Sequence, residues 1–369
     1  MDVTPNPRII EIAGRRFVVA GDDDYARNLP DRFETDLVSL MALLCEPDFR
    51  AIDIGANIGL TALALSEICR HGKVTAIEPL PRTFDFLQTN IAACKNITAF
   101  NFALGSKAGS VTMQGASSNL SGSFVADQYQ IEQGLFSTSV EVKTLDESFE
   151  QLSLDRLDFI KLDVEGFELE VLEGARKVLE KQRPTVLLEM NHWCLNVFRH
   201  VTIREFRDRL LKIFPCLYAI DGTEYLDFSD SLNAHYIFHE HLIKSKFFNL
   251  VGGFDSSRIL SRLTFLDRWR PFYLETNEGK VCAQKLREEF QSQLATLRDE
   301  SAKKEAQWQR LSEKEQALSS EMNRLFEERR NLTLTVEQMK SSQSWRLTAP
   351  FRALNDALFL RRRSHRLDR

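Results

Sequence analysis

The sequence predicts an α/β protein with a doubly wound, mostly parallel sheet of seven strands, followed by a long C-terminal α-helical coiled coil. Three observations support this prediction. Between residues 51 and 238, short apolar runs alternate with longer amphipathic stretches. Such alternation is typical of a parallel sheet with helices on both faces. Beyond residue 282 the alternation stops, and Glu, Lys, Arg, Gln and Leu dominate the composition.

The predicted elements follow one another along the chain. An N-terminal hairpin (8–12 with 16–20) precedes a helix over 32–45. The strands of the sheet are predicted at 51–54, 73–78, 97–102, 157–163, 184–190, 215–220 and 234–239. Helices are predicted at 59–70, 81–94, 168–181 and 202–213. The segment 104–145 is rich in Gly, Ser and Thr, so we expect hairpins and a loop over the site there.

The most informative segment is the turn Ala51-Ile-Asp-Ile-Gly-Ala-Asn-Ile-Gly59. Its two glycines let the backbone approach a ligand closely, and the helix that follows offers unpaired N–H groups at its N-terminus. The spacing differs from the G-x-G-x-x-G of dinucleotide sites. The carboxylate of Asp53 would repel a pyrophosphate, but it would suit an ammonium or sulfonium group.

A second carboxylate, Glu78, ends the next strand and is followed by Pro79. In a βαβ unit this position faces a ribose, whose hydroxyl groups a carboxylate can bind. Asp53 and Glu78 together suit S-adenosylmethionine better than NAD. The alternative is a structural strand–turn–helix with incidental acids.

Two further strands bring polar residues to the same edge of the sheet. One ends at Asp163, and the next ends at Glu189, followed by Asn191 and His192. Buried carboxylates are costly unless ligands, metals or hydrogen bonds offset the cost. A single acid is explained by a helix N-cap, since Glu165 and Glu168 begin a helix and suit its dipole. Four consecutive strand ends with a carboxylate therefore favour a functional site.

Four sequence blocks carry a resemblance to FkbM-type S-adenosylmethionine-dependent methyltransferases over roughly residues 30–240. The blocks are Asp53-Ile-Gly-Ala-Asn-Ile-Gly59, Glu78-Pro79, Asn101-Phe-Ala103-Leu and Lys161-Leu-Asp-Val-Glu-Gly-Phe-Glu168. The resemblance implies a Rossmann-like class I methyltransferase fold. It also implies O-methylation of a hydroxyl group on a sugar, polyketide or similar metabolite.

The resemblance assigns roles to individual positions of this chain. Four residues of the glycine turn would hold the methionine part of the cofactor: Gly55, Ala56, Asn57 and Gly59. Glu78 beside Pro79 would bind the ribose, and the segment from Asn101 to Ala103 would border the adenine. Asp163 would lie near the amino group and the transferring methyl.

Methyl transfer to a hydroxyl group also needs alignment and removal of a proton, and the sequence leaves the responsible group open. His192 has the most suitable unperturbed pKa, although it is also compatible with an ordinary loop histidine. Asp163 and Glu189 are the other candidates for the base. Together with Asn191, they are alternatively oxygen ligands for a divalent ion such as Mg²⁺.

The C-terminal part predicts a coiled coil, because residues 280–349 contain neither Gly nor Pro and show a regular 3,4 spacing. The apolar positions of that spacing are Leu294, Leu297, Trp308, Leu311, Leu318, Met322, Leu325, Leu332, Val336 and Met339. Its polar positions, Ser301, Lys304, Glu315 and Arg329, would cost stability but fix the register. The alternative is a solvated single helix.

The tail that follows (341–369) carries seven Arg against two Asp, beside a short apolar face. This composition suits an anionic membrane surface or an acidic partner, and a disordered basic tail is the alternative. Its segment Ser-Trp-Arg-Leu-Thr-Ala-Pro is similar to tails of bacterial surface-polysaccharide glycosyltransferases and their partner enzymes. That similarity points to glycan substrates.

The composition excludes several classes of protein. With 369 residues, 43% of them hydrophobic, the chain can bury a core, and its net charge of −5 argues against a nucleic-acid-binding protein. Its six scattered cysteines are typical of a cytosolic protein. There is no secretory signal and no apolar run long enough to span a bilayer. We expect a cytoplasmic protein, with a peripheral contact at the inner face of the membrane as a further expectation.

The sequence therefore predicts five parts: a capping hairpin and helix (1–50), an S-adenosylmethionine-binding methyltransferase domain (51–245), a linker (246–282), a coiled coil (283–340) and a basic amphipathic tail (341–369). The expected activity is O-methylation of a sugar hydroxyl on a bacterial surface glycan or its precursor, with self-association or a partner helix through the coil. The alternative is a non-catalytic scaffold that recruits glycan-assembly partners, against which the intact Asp53, Gly55, Gly59 and Glu78 argue. The acceptor pocket is expected from 104–145, 192–200 and the first 50 residues.

Overall fold

The computed structural model describes residues 7–126, 135–152 and 154–266, together with 303, 310, 314 and 317–341. The chain divides into two compact units, Met1–Arg287 and Glu288–Arg369.

The strands of the first unit are β1 (Arg8–Ile12), β2 (Arg15–Val19), β3 (Arg50–Ile54), β4 (Lys73–Ile77), β5 (Ile97–Phe100), β6 (Ala103–Leu104), β7 (Gly109–Ala116), β8 (Asn119–Val125), β9 (Phe136–Lys143), β10 (Phe159–Leu162), β11 (Thr185–Glu189), β12 (Cys216–Asp221), β13 (Glu224–Asp227) and β14 (Asn249–Gly253). Its helices are α1 (Asp24–Arg27), α2 (Thr35–Leu44), α3 (Leu60–Ile68), α4 (Pro81–Ile91), α5 (Leu145–Ser148), α6 (Glu168–Glu173), α7 (Arg176–Gln182), α8 (His192–Arg199), α9 (Ile203–Leu210), α10 (Ser231–Lys244) and α11 (Ser256–Leu263), with a 3₁₀ turn at Phe149–Leu152.

The central sheet has eight strands in the order β13-β12-β14-β11-β10-β3-β4-β5. The strands from β11 to β5 pair in parallel, whereas β14 and β13 pair antiparallel with their neighbours. The predicted mostly parallel sheet is confirmed, but the predicted number of seven strands is wrong. The additional edge strand, β13, follows a tight turn at Asp221-Gly222, where Gly222 has a φ of 60°. This Asp-Gly pair is a hairpin signal that the strand assignment overlooked.

The predicted strand at 234–239 is also wrong, because these residues lie within α10. Asp230 starts this helix by accepting hydrogen bonds from the N–H groups of Leu232 and Asn233, at 2.8 and 2.9 Å. The strand that was expected there is β14, which lies between β11 and β12. Both β14 and α11 fall within the range 246–282 that was predicted to be a linker.

A second sheet, in the order β6-β9-β7-β8, covers the carboxyl ends of the central strands. It agrees with the hairpins that were expected over 104–145. The N-terminal segment is tied to this sheet by Asp23, whose carboxylate accepts from Ala26 N at 2.9 Å and from Leu120 N at 2.8 Å. The segment around α1 and the β7–β8 hairpin are thereby fixed to each other beside the site.

The described residues of the second unit form a helix over 317–341, in which every side chain is exposed. The exposed side chains include Leu318, Met322, Leu325, Leu332 and Met339, which lie at the predicted coiled-coil positions. Coiled-coil pairing stays a prediction, and the predicted tail lies outside the described residues. Among the helices that the structure describes, none combines the length and the apolar character needed to cross a membrane.

Candidate active site

Two adjacent cavities open at the carboxyl ends of β3, β4, β10 and β11. The first is lined mainly by apolar side chains and by Glu78, and the second mainly by polar and charged side chains. Five residues line both cavities: Gly55, Asn57, Ser121, Asp163 and Glu165. These shared residues, which we call the junction, are where groups held in the two cavities would meet.

The glycine turn forms one side of the junction. Gly55 has a φ of 81°, and a Cβ atom placed on it would lie 1.8 Å from the carbonyl oxygen of Asp163. The N–H groups of Gly55 and Ala56 both donate to the carbonyl oxygen of Ile77 at 3.0 Å. Only glycine fits at position 55, because both the space and the left-handed backbone exclude a side chain.

Glu78 anchors the first cavity. Its carboxylate accepts hydrogen bonds from the N–H groups of Asn57 and Leu80, each at 2.9 Å. Burial nevertheless raises the pKa of Glu78 to about 7. The carboxylate therefore holds two turns in place while its remaining lone pairs face the cavity that Pro79 and Ala103 also line. Thr83 contributes a buried hydroxyl group to the same wall.

Asp53 is buried at the end of β3, with 1% of its surface exposed. Neither of its carboxylate oxygens has a hydrogen-bond partner among the described residues. Burial raises the pKa of Asp53 to about 7, although the ammonium group of Lys161, which lies opposite in the register of β3 and β10, acts in the other direction. A buried carboxylate without donors is costly and is stabilised by a cationic ligand.

Lys161 lies among the acidic residues of the site. The sequence predicted Asp163 and Glu189 as site residues but assigned no role to Lys161. Its Nζ donates to Asp163 Oδ2 at 2.9 Å, and Asp163 in turn shares a hydrogen bond with Glu189. Burial and the charge of Asp163 raise the pKa of Glu189 to about 10. Burial also opposes ionisation of Asp163, but Lys161 outweighs it and lowers the pKa of Asp163. The pair thus holds one proton between two carboxyl groups.

Glu165 is the residue of the site whose role sequence reasoning missed. It adopts a left-handed backbone with a φ of 51°, and its Oε2 accepts a hydrogen bond from the Cys194 thiol at 3.1 Å. Burial, reinforced by the charge of Asp163, raises its pKa to about 7. Of the two acids expected to begin the helix, Glu168 is the first residue of α6, whereas Glu165 lies in the turn before it. The Glu168 carboxylate accepts hydrogen bonds from Val164 N and Gly166 N in that turn, each at 3.2 Å.

The remaining predicted residues lie beside the cavities rather than on their walls. Asn191 caps α8 through a hydrogen bond from Cys194 N at 3.3 Å, and Asn101 Nδ2 donates to the carbonyl oxygens of Glu78 and Pro79 at 2.8 and 3.0 Å. Among the described residues, no three His, Cys, Asp or Glu side chains are grouped to hold a metal ion. Asp163 and Glu189 come together as predicted, whereas Asn191 is engaged at the helix terminus.

His192 belongs to a hydrogen-bonded chain of its own. His241 Nδ1 donates to the carbonyl oxygen of Lys246 at 2.6 Å, and His241 Nε2 lies 3.1 Å from His192 Nδ1. With neutral rings, His192 Nδ1 is therefore the donor to His241, and its Nε2 is left as an acceptor. His192 lies three residues after Glu189 but lines neither cavity.

The N-terminal segment contributes part of the wall of the second cavity. Tyr25, Phe33, Glu34 and Leu37 line it, as does Lys161. Residues of the first 50 and of 104–145 line the cavities as expected, the latter through Ser121 and its neighbours on β7 and β8, whereas no residue of 192–200 lines either one. The assignment of these segments to an acceptor stays a prediction.

Comparison with known proteins identifies the domain that contains this site. A family model for the methyltransferase FkbM domain matches residues 53–212. The chain is similar to a hexuronic acid methyltransferase, AglP, of Haloferax volcanii, with 30% identity over 47% of this chain and 71% of that protein. It is also similar to a 2-O-methyltransferase, NoeI, of Sinorhizobium fredii, with 26% identity over 39% of this chain and 64% of that protein.

Among solved structures, the chain is similar to a methyltransferase FkbM from Methylobacillus flagellatus, with 20% identity and a TM-score of 0.33. The match covers 46% of this chain and 39% of that one.

Proposed function

The chain belongs to the FkbM methyltransferase family, and from that premise we propose that it transfers the methyl group of S-adenosylmethionine to a hydroxyl group of a sugar. The observation that carries the proposal is the junction, at which an apolar cavity with one buried carboxylate meets a polar cavity. A methyltransferase needs such a meeting point, because donor and acceptor must be aligned in line.

The first cavity supports an adenosine-bearing cofactor. Glu78 offers carboxylate lone pairs to ribose hydroxyl groups, and the apolar side chains of Phe102 and Leu104 offer a surface for a purine. Asp53 lines neither cavity, but its buried and unpartnered carboxylate at the end of β3 supplies negative charge that favours a ligand with ammonium and sulfonium groups. No element of this cavity suits a pyrophosphate, since its ionisable side chains are all acidic.

The second cavity supports an acceptor rich in hydroxyl groups. Its wall offers carboxyl groups from Asp163, Glu165 and Glu189, the ammonium of Lys161 and the phenol of Tyr25. These groups can orient sugar hydroxyls by hydrogen bonds. The bound cofactor would supply an activated methyl group. The side chains of this chain would align the acceptor oxygen and receive its proton.

The sugar acceptor rests on the relatives as well as on the polar wall. One similar protein is a hexuronic acid methyltransferase and another a 2-O-methyltransferase. We extend this to a bacterial surface glycan or its precursor on the strength of the tail sequence. A cytoplasmic location, with a peripheral membrane contact of the basic tail, belongs to the same proposal.

We further propose that the C-terminal helix pairs with a second copy or with a partner helix. The exposed stripe of Leu318, Leu325 and Leu332 supports this pairing, because an isolated helix would leave it in water. The division of the C-terminal part into a coiled coil (283–340) and a basic tail (341–369) belongs to the same proposal.

Transfer of a labelled methyl group tests the proposed activity. The full chain would be incubated with S-adenosylmethionine carrying an isotopic label and with surface polysaccharide extracted from a bacterial culture. The proposal predicts label in the glycan fraction as an alkali-stable ether. Cofactor binding without transfer to any fraction would instead favour a non-catalytic scaffold.

A further inference from the structure

Tyr25 and Glu34 are the polar side chains that the N-terminal segment brings to the wall of the second cavity. Neither of them lines the first cavity, which separates them from the junction residues. The described lining residues of the first cavity all lie between Ile54 and Phe167, within the FkbM domain at 53–212. Tyr25 and Glu34 precede that domain. The second cavity therefore has a wall that the shared domain does not supply.

Glu34 has a backbone conformation that its place in the chain does not require. Its φ of 24° and ψ of 63° lie in the left-handed region, which residues with a Cβ atom rarely adopt. Such residues cluster at functional sites. Glu34 directly precedes α2, where a side chain commonly accepts hydrogen bonds from the first N–H groups of the helix. The Glu34 carboxylate makes no such bond, and it lines the second cavity.

The residue that precedes each of these two side chains is fixed to another part of the fold. Phe33, before the carboxylate, is buried, and its N–H donates to the carbonyl oxygen of Glu11 in β1 at 3.0 Å. Asp24, before the phenol, donates its N–H to the carbonyl oxygen of Ser118, between β7 and β8, at 2.6 Å. The two polar groups are therefore held in place before a ligand arrives, which lowers the cost of binding.

The phenol of Tyr25 complements the carboxylate of Glu34. Burial, reinforced by the charge of Glu34, raises the pKa of Tyr25 above its usual value. Tyr25 therefore keeps its proton and can donate a hydrogen bond, whereas an ionised carboxylate only accepts. Because a sugar hydroxyl group both donates and accepts, one sugar can bind to the two side chains at once.

The charge on this wall disfavours an anionic ligand. Glu34 is the charged residue that the N-terminal segment adds to the cavity, and the others are aromatic or aliphatic. Among the described residues of this cavity the one cation is Lys161, which is bonded to Asp163 at 2.9 Å. A carboxylate or phosphate group placed against this wall would face Glu34, and like charges brought together in this way reject a ligand.

We propose that Tyr25 and Glu34 determine the specificity for the acceptor: they bind hydroxyl groups of a sugar that carries neither carboxylate nor phosphate, and Glu34 repels anionic sugars. This inference rests on the proposed function. The first cavity would then bind a donor that is the same in every turnover, and the N-terminal segment would select the acceptor.

The charge of the methylated sugar tests the proposed acceptor class. The full chain would transfer the labelled methyl group of S-adenosylmethionine to extracted bacterial surface polysaccharide, which would then be hydrolysed and its sugars separated by charge. The expected result is label in the neutral and amino sugars. Label in uronic acids or in phosphorylated sugars would overturn the proposed specificity while leaving the methyltransferase activity in place.

Substitutions test the two residues in the same assay. Tyr25→Phe should raise the polysaccharide concentration that gives half-maximal transfer about fivefold, because one hydrogen bond is lost, and Glu34→Gln should raise it about tenfold, because a charged acceptor is lost. The maximal rate and the affinity for S-adenosylmethionine should stay within about threefold of the wild type. Asp36→Asn is the matched control, since Asp36 is an exposed acid in the first turn of α2 that lines neither cavity.

The outcomes separate this inference from the proposed function. Half-maximal transfer at the wild-type concentration in both variants would overturn the role of Tyr25 and Glu34, and so would a lower maximal rate with no change in that concentration. If Glu34→Gln fails to fold, Tyr25→Phe decides, because it removes only a hydroxyl group. A wild-type chain that transfers label to no fraction would overturn the proposed function and the inference with it.

Discussion

The two cavities are built from the same strand ends but stabilise their carboxyl groups in different ways. In the first cavity, Glu78 accepts two backbone hydrogen bonds at 2.9 Å, and most of the other lining side chains are apolar. In the second, Glu189 shares a proton with Asp163 beside the buried Lys161. A carboxylate held in place by backbone N–H groups suits the binding of a cofactor, which is the same in every turnover. Two carboxyl groups that share a proton suit proton transfer instead. The contrast separates a binding half from a reactive half.

The largest loss of stability and of cofactor affinity is expected from a substitution at the junction, where the two cavities meet. Gly55→Ala would place a Cβ atom 1.8 Å from the carbonyl oxygen of Asp163, at a φ of 81°. We expect a loss of stability of about 3 kcal/mol or more and a loss of S-adenosylmethionine affinity of about 100-fold or more, equivalent to about 2.8 kcal/mol. Thermal unfolding and calorimetry measure these effects. Gly122→Ala, with no atom within 4 Å of its Cβ, is the control, and equal behaviour of the two variants would contradict a packed junction.

A matched pair of substitutions separates the halves. Glu78→Gln lies on the first cavity only, and Glu34→Gln lies on the second only. We expect Glu78→Gln to weaken S-adenosylmethionine binding about 10- to 100-fold, because a charged hydrogen-bond acceptor is lost. Glu34→Gln should change the affinity by less than about threefold. Calorimetric titration of both variants checks the pair. A reversal of the two effects would mean that the cofactor occupies the second cavity.

The pH dependence of stability distinguishes the two carboxyl groups. In the fold the pKa of Glu78 is raised to about 7 and that of Glu189 to about 10, whereas in the unfolded chain both groups titrate near 4. Each raised pKa contributes stability that is complete below pH 4 and is lost as the pH rises to the folded value. The slope is about 1.4 kcal/mol per pH unit for each group that keeps its proton only in the fold.

The same argument predicts different slopes for two variants. Between pH 8 and pH 9.5 the unfolding free energy of Glu78→Gln should fall with pH as steeply as that of the wild type, because Glu78 is already ionised there. The unfolding free energy of Glu189→Gln should fall less steeply with pH, because this variant lacks the Glu189 carboxyl group that still titrates in this range in the wild type. Denaturant unfolding at several pH values provides the comparison. Parallel curves for Glu189→Gln and the wild type would show that Glu189 is not the buried acid of the second cavity.

The smallest change in S-adenosylmethionine affinity is expected from removing the C-terminal part of the chain. Truncation after Asn277 should leave S-adenosylmethionine affinity within about twofold of the full chain, because every lining residue of the two cavities precedes it. The mass per particle in light scattering should fall by more than the mass of the removed residues, since pairing through the helix would be lost. A particle that loses only the mass of the removed residues would contradict self-association through this segment.

Much of the sheet could be predicted, because its central strands are apolar runs bounded by turn residues. The strand ends at Asp53, Glu78, Asp163 and Glu189 could likewise be placed at one edge from the topology of parallel sheets alone. The missed strand β13 had a local signal, Asp221-Gly222. The misassigned helix α10 had one too, the cap at Asp230.

The site was harder to predict, because its remaining parts depend on contacts between distant segments. Lys161 had a recognisable signal: a lysine inside an apolar strand is costly unless it is paired. Glu165 had none, since its meaning comes from a left-handed backbone and from Cys194, 29 residues away. The pairing of His192 with His241 across 49 residues is equally absent from any local pattern.

The most direct test of the central claim is a calorimetric titration of the full chain with S-adenosylmethionine, and in parallel with NADH. We predict saturable binding of S-adenosylmethionine with one site per chain, which Asp53→Ala and Glu78→Ala abolish while thermal unfolding shows that both variants still fold. We predict no measurable binding of NADH, because acidic side chains at the strand ends repel its pyrophosphate. Tight binding of NADH, or S-adenosylmethionine binding that survives both substitutions, would contradict the account.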